Sequence, residues 1–317
     1  MKYTAPLALI LFICASCMAQ KSDPNKFAVI INGPGGEAAY TKQFTEWTTS
    51  LSSILSQRYG FDSGQIKVLS DKLASAEEVK RAFTSLKSEL DVNNILFVFL
   101  IGHGSFDGKE AKFNLVGPDL SAADYNQLLT ALPTKRIVVF NMSSASGEFV
   151  KPLSAKGRIV ITATRNGQET NATRFAGFFI NALNATDGDT DQDGHTSVLE
   201  AFVYANRLTE EFYKRAGRLA TEHALLDDNG DGVGREKPEA GEGLLARATY
   251  LDSLSVGEAA ANVVTAKLLR ERTRLEGEIE QLIARKTNMP EAEYEATLER
   301  LFIQLAKVNR SIKQAGT

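Results

Sequence analysis

The sequence predicts an α/β fold with a mainly parallel sheet covered by helices on both faces, and three observations carry that prediction. Short apolar runs alternate with longer stretches of helical period. The runs are apolar throughout rather than at every second position, as strands buried on both faces are. Each ends in a turn rich in glycine, serine or asparagine: "NGPGG", "GHGS", "NMSSASG" and "TATRNG". Ligands gather at the carboxyl ends of the strands in such sheets, so these four turns form the candidate functional edge.

In chain order, "FAVIING" (residues 27–33) is the first strand. The "GPGGE" turn after it lacks the Lys-Ser/Thr of a phosphate loop and the spacing of a dinucleotide fingerprint, and reads as a strand-to-helix turn. A Thr-, Ser- and Leu-rich helix over about 40–59 leads to a short strand at 66–69 and a helix over 76–90. "NILFVFLIGHG" (94–104) is the strongest strand signal. A helix at 122–132 and strands at 136–140 and 158–164 continue the alternation. Trp47 and the run "FAGFFI" (175–180) read as core.

Composition sets limits. Of 317 residues, 43% are hydrophobic and 24% charged, an ordinary globular balance. A net charge of −3 and a pI near 5.8 give no basic footprint for nucleic acid or anionic lipid. The opening "MKYTAPLALILFICASCMAQ" has an early lysine, an apolar run too short to span a bilayer, and then small residues. It suits an export signal over residues 1–19, cleaved after Ala19, with lipid attachment at Cys17 as the alternative. Both cysteines, Cys14 and Cys17, lie in this segment, so an exported mature chain carries no disulfide and no thiol nucleophile. The expected destination is periplasmic or extracellular, or the membrane surface if Cys17 is lipidated.

The expected division is a linker at 20–26, the α/β domain at 27–183, a helical region at 184–252 and a C-terminal helical segment at 253–317. In the helical region, "DTDQDGHTSVLE" fits a calcium loop at every ligand position. Asp189, Asp191 and Asp193 stand at positions 1, 3 and 5, with Gly194 at the sharp turn. His195 offers its backbone carbonyl, Ser197 stands at position 9, and Glu200 at position 12 can bind through both oxygens. Expected helices at about 174–183 and 198–212 flank the loop, in an EF-hand-like insertion whose Ca2+ would be structural. The competing reading is a solvated acidic loop with a helix N-cap. "DDNGDGVG" (227–234) begins like a second such loop, but Arg235 and Pro238 cannot complete the cage, so a turn or partial cation site is expected there.

After Asn288-Met289-Pro290, apolar residues recur at Tyr294, Leu298, Leu301, Leu305, Val308 and Ile312, a heptad seam. With the apolar positions before the break it predicts a C-terminal αα-hairpin, either packed on the main domain or used for self-association or partner binding.

His103 ends one predicted strand, and Ser143, Ser144 and Ser146 end the next, so the topology brings an imidazole and several hydroxyls to one edge. A histidine beside a nucleophile, with glycine-turn N–H groups as oxyanion donors, is the minimum for acyl transfer. The alternative for His103 is a satisfied histidine at a strand end. His223, in "TEHALLDDNGDG", has no partner assigned by the sequence.

The segments "NNILFVFLIGHGSFDG" and "RIVVFNMSSASGEFVKPLSAKGRIVITATRNGQET" resemble the core of the caspase/legumain-like cysteine peptidases, over about residues 27–183. That resemblance implies a three-layer sandwich, with His103 at the catalytic histidine, Gly104 at the oxyanion glycine, and Ser144 where the nucleophilic cysteine belongs. It also shows departures. Ser144 replaces Cys, Met142 replaces an acidic residue, and Gly35 stands where legumains have an asparagine that orients the histidine. A thiol, with a pKa near 8.5, yields its proton to an imidazole readily, whereas a hydroxyl needs a precisely held base and an orienting third group. Three readings follow: a pseudopeptidase holding a peptide or protein in the sheet-edge cleft, a serine-type hydrolase using Ser144 and His103, or a scaffold acting through the C-terminal helices.

Overall fold

The computed structural model describes residues 23–185, 188–190, 195–238, 242–251, 267–268, 271–272, 274–275, 277–279, 282, 285–286 and 289–315. The expected export segment therefore lies outside the described residues, as do Asp191 and Asp193 of the acidic loop. Among the described residues, no helix is long and apolar enough to cross a membrane.

A six-stranded sheet organises the chain. Its strands are β1 (Lys26–Asn32), β2 (Ile66–Leu69), β3 (Ile95–Ile101), β7 (Arg136–Asn141), β8 (Arg158–Thr162) and β9 (Leu225–Asp227), in the order β2-β1-β3-β7-β8-β9. All neighbours are parallel except β8 and β9. A small antiparallel sheet of β4 (Gly104–Phe106), β5 (Ala111–Phe113) and β6 (Leu120–Ser121) sits between β3 and the next helix in sequence.

The period of two in β3 explains the layers. Ile95, Phe97, Phe99 and Ile101 face one core, while Leu96, Val98 and Leu100 face the other. Phe44, Leu51 and Leu55 of α1 (Ala38–Gln57) close the first core, with Phe175 and Phe179 of α5 (Phe175–Asn184) and Phe202 of α6 (Val198–Arg215). Val79 and Phe83 of α2 (Ala76–Glu89), Tyr125 and Leu129 of α3 (Ala122–Thr130) and Leu153 of α4 (Val150–Leu153) close the second. Phe99 and Phe140 stack across β3 and β7 at a 4.8 Å centroid separation. The result is the expected three-layer α/β architecture.

Several expected boundaries move. The strand expected over 94–104 stops at Ile101, because the Gly102-His103 turn hands Gly104 to β4. The helix expected at 122–132 ends at Thr130 and the strand expected at 158–164 ends at Thr162. The helix expected at 40–59 runs over Ala38–Gln57. In the helical region, α6 extends to Arg215, and β9 adds an edge strand that the sequence pattern does not announce. Leu226, Ala246 of the short helix α7 (Leu244–Arg247) and Leu251 join the first core, so this region packs as part of the sheet domain.

At the C-terminus, the described residues between 267 and 282 are helical, and α8 (Glu291–Ala315) follows Pro290. Leu275, Ile279 and Leu282 pack with Tyr294 and Leu301 in a separate apolar cluster. The expected seam thus turns inward on the first arm of the hairpin. Arg272 stacks over the Tyr250 ring at 5.4 Å, which ties that arm to the main domain. Phe302 and Ile303 are left exposed on the other side of α8.

Candidate functional site at the carboxyl edge of the sheet

The neighbouring strands β3 and β7 bring His103 and Ser144 to one edge. After β7, the chain must reverse within a few residues. It does so through Ala145, held in the left-handed region at φ 53°, whose N–H donates to Glu169 O at 2.8 Å. The turn is fixed from all sides by its hydroxyls. Ser143 Oγ donates to Asn141 Oδ1 at 2.7 Å. Ser146 Oγ accepts from the N–H groups of Ala163 and Thr164, both at 3.1 Å, which fastens the turn to β8's end.

Ser144 is only 2% exposed. Its Oγ donates to the Gly104 carbonyl at 3.0 Å and accepts from the Gly104 N–H at 3.0 Å. Ser144 and Gly104, expected from the sequence to be nucleophile and oxyanion donor, therefore satisfy each other. Close approach is possible because Gly104 has no side chain. A Cβ there would collide with the Ser144 carbonyl oxygen and lie 2.8 Å from Ser143 Oγ.

His103 is engaged elsewhere. Its Nε2 lies 3.2 Å from the Gly35 carbonyl, which can only accept, so Nε2 is the donor of this bond. Tyr40 and Phe44 of α1 meet the imidazole edge-on, each at a 5.1 Å centroid distance. The backbone carbonyl of Gly35 and these two rings thus hold the imidazole in place.

A second imidazole lies at the same edge. His223 Nδ1 is 2.5 Å from Glu169 Oε1, and Glu169 Oε2 accepts from the backbone N–H groups of His223 at 3.1 Å and Arg165 at 2.9 Å. The backbone of Glu169 is the acceptor for Ala145, one residue from Ser144. The signal that could place His223 is the run "ALL" before Asp227: read as an antiparallel edge strand, it starts at the carboxyl end of β8. Nearby, Glu222 accepts from the N–H groups of Arg174 and Phe175 and from the Tyr213 hydroxyl, capping α5; burial raises its carboxyl above the usual range.

In the acidic loop, Ser197 and Glu200 form a capping box at the start of α6. Glu200 Oε1 also accepts from Thr190 N at 2.9 Å and Thr190 Oγ1 at 3.0 Å, which spans the loop from its second position to its twelfth. The carboxylate expected to bind Ca2+ through both oxygens thus holds internal donors with both. Among the described residues no group of three or more metal-ligating side chains converges, and Asp191 and Asp193 lie outside that set. Asp189 and His195 flank the gap, the His195 ring meeting Tyr250 edge-on at 6.0 Å.

The loop at 227–234 is a nest of side-chain turns. Asp227 accepts from the N–H groups of Gly230 at 3.0 Å and Gly232 at 3.2 Å, and Asp231 Oδ1 accepts from Val233 N at 2.8 Å. The guanidinium of Arg235 pairs with Asp231 at 2.9 Å and with Glu242. The charge that balances this loop is supplied by the chain itself. Hydrogen bonding from Arg235 holds Asp231 down at about 2, while burial pushes Glu242 up to about 7.

No family model matches the sequence, and no curated protein matches it significantly. Among solved structures, protein GSU0716 from Geobacter sulfurreducens is 13% identical, with 64% of this chain and 93% of that chain covered and a TM-score of 0.44. Caspase-1 from Spodoptera frugiperda is 12% identical, with 67% of this chain and 88% of that chain covered and a TM-score of 0.41.

Proposed function

We propose that the protein is a peptidase-like domain that has lost turnover and holds a peptide or protein ligand at the carboxyl edge of its sheet. The observation that carries this reading is the two-way bond between Ser144 Oγ and the Gly104 backbone. Attack on a carbonyl requires the hydroxyl proton to pass to a base as the C–O bond forms. A backbone carbonyl cannot accept that proton, and among the described residues the hydrogen bond donated by the Ser144 hydroxyl goes to one. The Gly104 N–H, the natural oxyanion donor of such a site, is spent on the same hydroxyl. The His103 bond to Gly35 and its packing under Tyr40 and Phe44 support a positioned but uncoupled imidazole.

In this reading the protein is exported, as the opening segment suggests, and the loop at 189–200 takes a structural Ca2+. The ligand spacing supports that assignment; Asp189, Asp191, Asp193, the His195 carbonyl, Ser197 and Glu200 would hold the ion, Glu200 exchanging its bonds to Thr190 and Ser197 for it. The experiment is incubation of purified protein with a peptide library, reading both retained and cleaved species. Retention without new termini is expected. Cleavage that disappears in Ser144→Ala would replace this reading with the serine-hydrolase one.

A further inference from the structure

Helix α8 carries two seams. Tyr294, Leu298, Leu301, Leu305 and Val308 pack toward the first arm of the hairpin. On the other side Ala292, Ala296, Glu299, Ile303, Ala306 and Arg310 step by 4, 3, 4, 3 and 4 residues, again a heptad spacing. All six are exposed. Ile303 is 48% and its neighbour Phe302 50% exposed, so the middle of this outer face is apolar. The helix has already buried its inner seam, and a second surface is needed to take this pair out of water.

The charges around that pair select the occupant. Glu295 and Glu299 stand on its N-terminal side, Lys307 and Arg310 on its C-terminal side, and all four are exposed. No residue of opposite charge stands three or four positions from any of them, so the helix cannot pair them within itself. Nor has any of the four an ion-pair partner elsewhere among the described residues. Such a face is complementary to itself run backwards. With a second copy laid antiparallel about a two-fold axis at Ile303, Glu299 comes opposite Lys307 of the second copy and Glu295 beside its Arg310. Symmetry repeats both pairs, and Ile303 meets Ile303 at the axis. Ala296 and Ala306 flank the axis with side chains small enough to let the helices approach closely. A parallel arrangement would set Glu against Glu and Arg against Arg, so the charges exclude it.

We propose that the outer face of α8 is a self-association surface whose partner is a second copy of this chain, with the two α8 helices antiparallel. The surface is independent of whether Ser144 reacts. The test is sedimentation equilibrium of the full chain from about 1 to about 100 µM, the range in which a small interface of this kind associates. A reversible monomer–dimer equilibrium is expected. Ile303→Asp should leave only monomer. Reversing Glu295→Lys together with Glu299→Lys should weaken the dimer about tenfold, since like charges then face each other across the axis. Adding Lys307→Glu and Arg310→Glu to that same chain should restore the original affinity, because the polarity of the whole face is then inverted. These positions are exposed, and an unchanged urea midpoint of each variant as monomer checks that the fold is intact. A chain that stays monomeric over the whole range would overturn the proposal and leave the face to a different protein. So would a dimer that survives Ile303→Asp, or one indifferent to the double reversal, or one not recovered by the fourfold reversal.

Discussion

Replacing Ser144 by alanine separates a structural clip from a nucleophile, because the two roles predict opposite effects on stability. In the structure the hydroxyl is 2% exposed and makes two 3.0 Å bonds with the Gly104 backbone. Each intramolecular hydrogen bond contributes about 1 kcal/mol net, so Ser144→Ala should cost about 2 kcal/mol. With an unfolding entropy of about 2.1 cal/mol/K per residue, a chain of this length should melt about 3 °C lower. The assay is urea unfolding followed through the single tryptophan, Trp47, which lies against Gly177 of α5. Catalytic groups are often retained at some expense of stability, and their removal is then neutral or stabilising. An alanine variant as stable as the native protein, or more so, would refute the clip and return Ser144 to the list of reactive groups.

Other perturbations probe the surroundings. Gly104→Ala and Gly147→Ala would drive a Cβ into the backbone of Ser144 and of Arg165 respectively, so each should cost at least as much stability as Ser144→Ala, measured by the same unfolding assay. Glu242 supplies a pH dependence. Its folded-state pKa, about 7, lies above the usual value of 4.5, so between those values the folded state keeps a proton that the unfolded state has lost. Stability should therefore fall as pH rises from about 4.5 to 7, by on the order of 3 kcal/mol, and Glu242→Gln should flatten that slope in urea unfolding across the range. Calcium should raise the melting temperature relative to a chelator, and Glu200→Ala should abolish the difference; identical melting curves would remove the structural ion from the account.

The large features of the fold were legible because burial writes them directly into the sequence. A run such as Ile95–Ile101 can be apolar throughout only if both faces are covered, and that alone implies flanking helices. The adjacency of His103 and Ser144 was also legible, since consecutive strands of an alternating pattern share an edge. What the sequence withheld is of shorter range. The strands β4, β5 and β6 have two or three residues each, too few to display a period of two. The antiparallel β9 hides in "LLD" beside an acidic turn, and with it the placement of His223 against Glu169. Whether Ser144 faces an imidazole or a backbone depends on the left-handed turn at Ala145, and small neighbouring residues do not announce that geometry. Thr48, on the Thr- and Ser-rich α1, is buried beside a cavity, which its residue type does not announce.

The central claim concerns one hydroxyl, and a fluorophosphonate probe with mass-spectrometric mapping measures its reactivity directly. The account predicts no adduct on Ser144 in the native protein, because its hydroxyl donates to the Gly104 carbonyl and accepts from the Gly104 N–H. A stoichiometric adduct at Ser144, lost in Ser144→Ala, would contradict it.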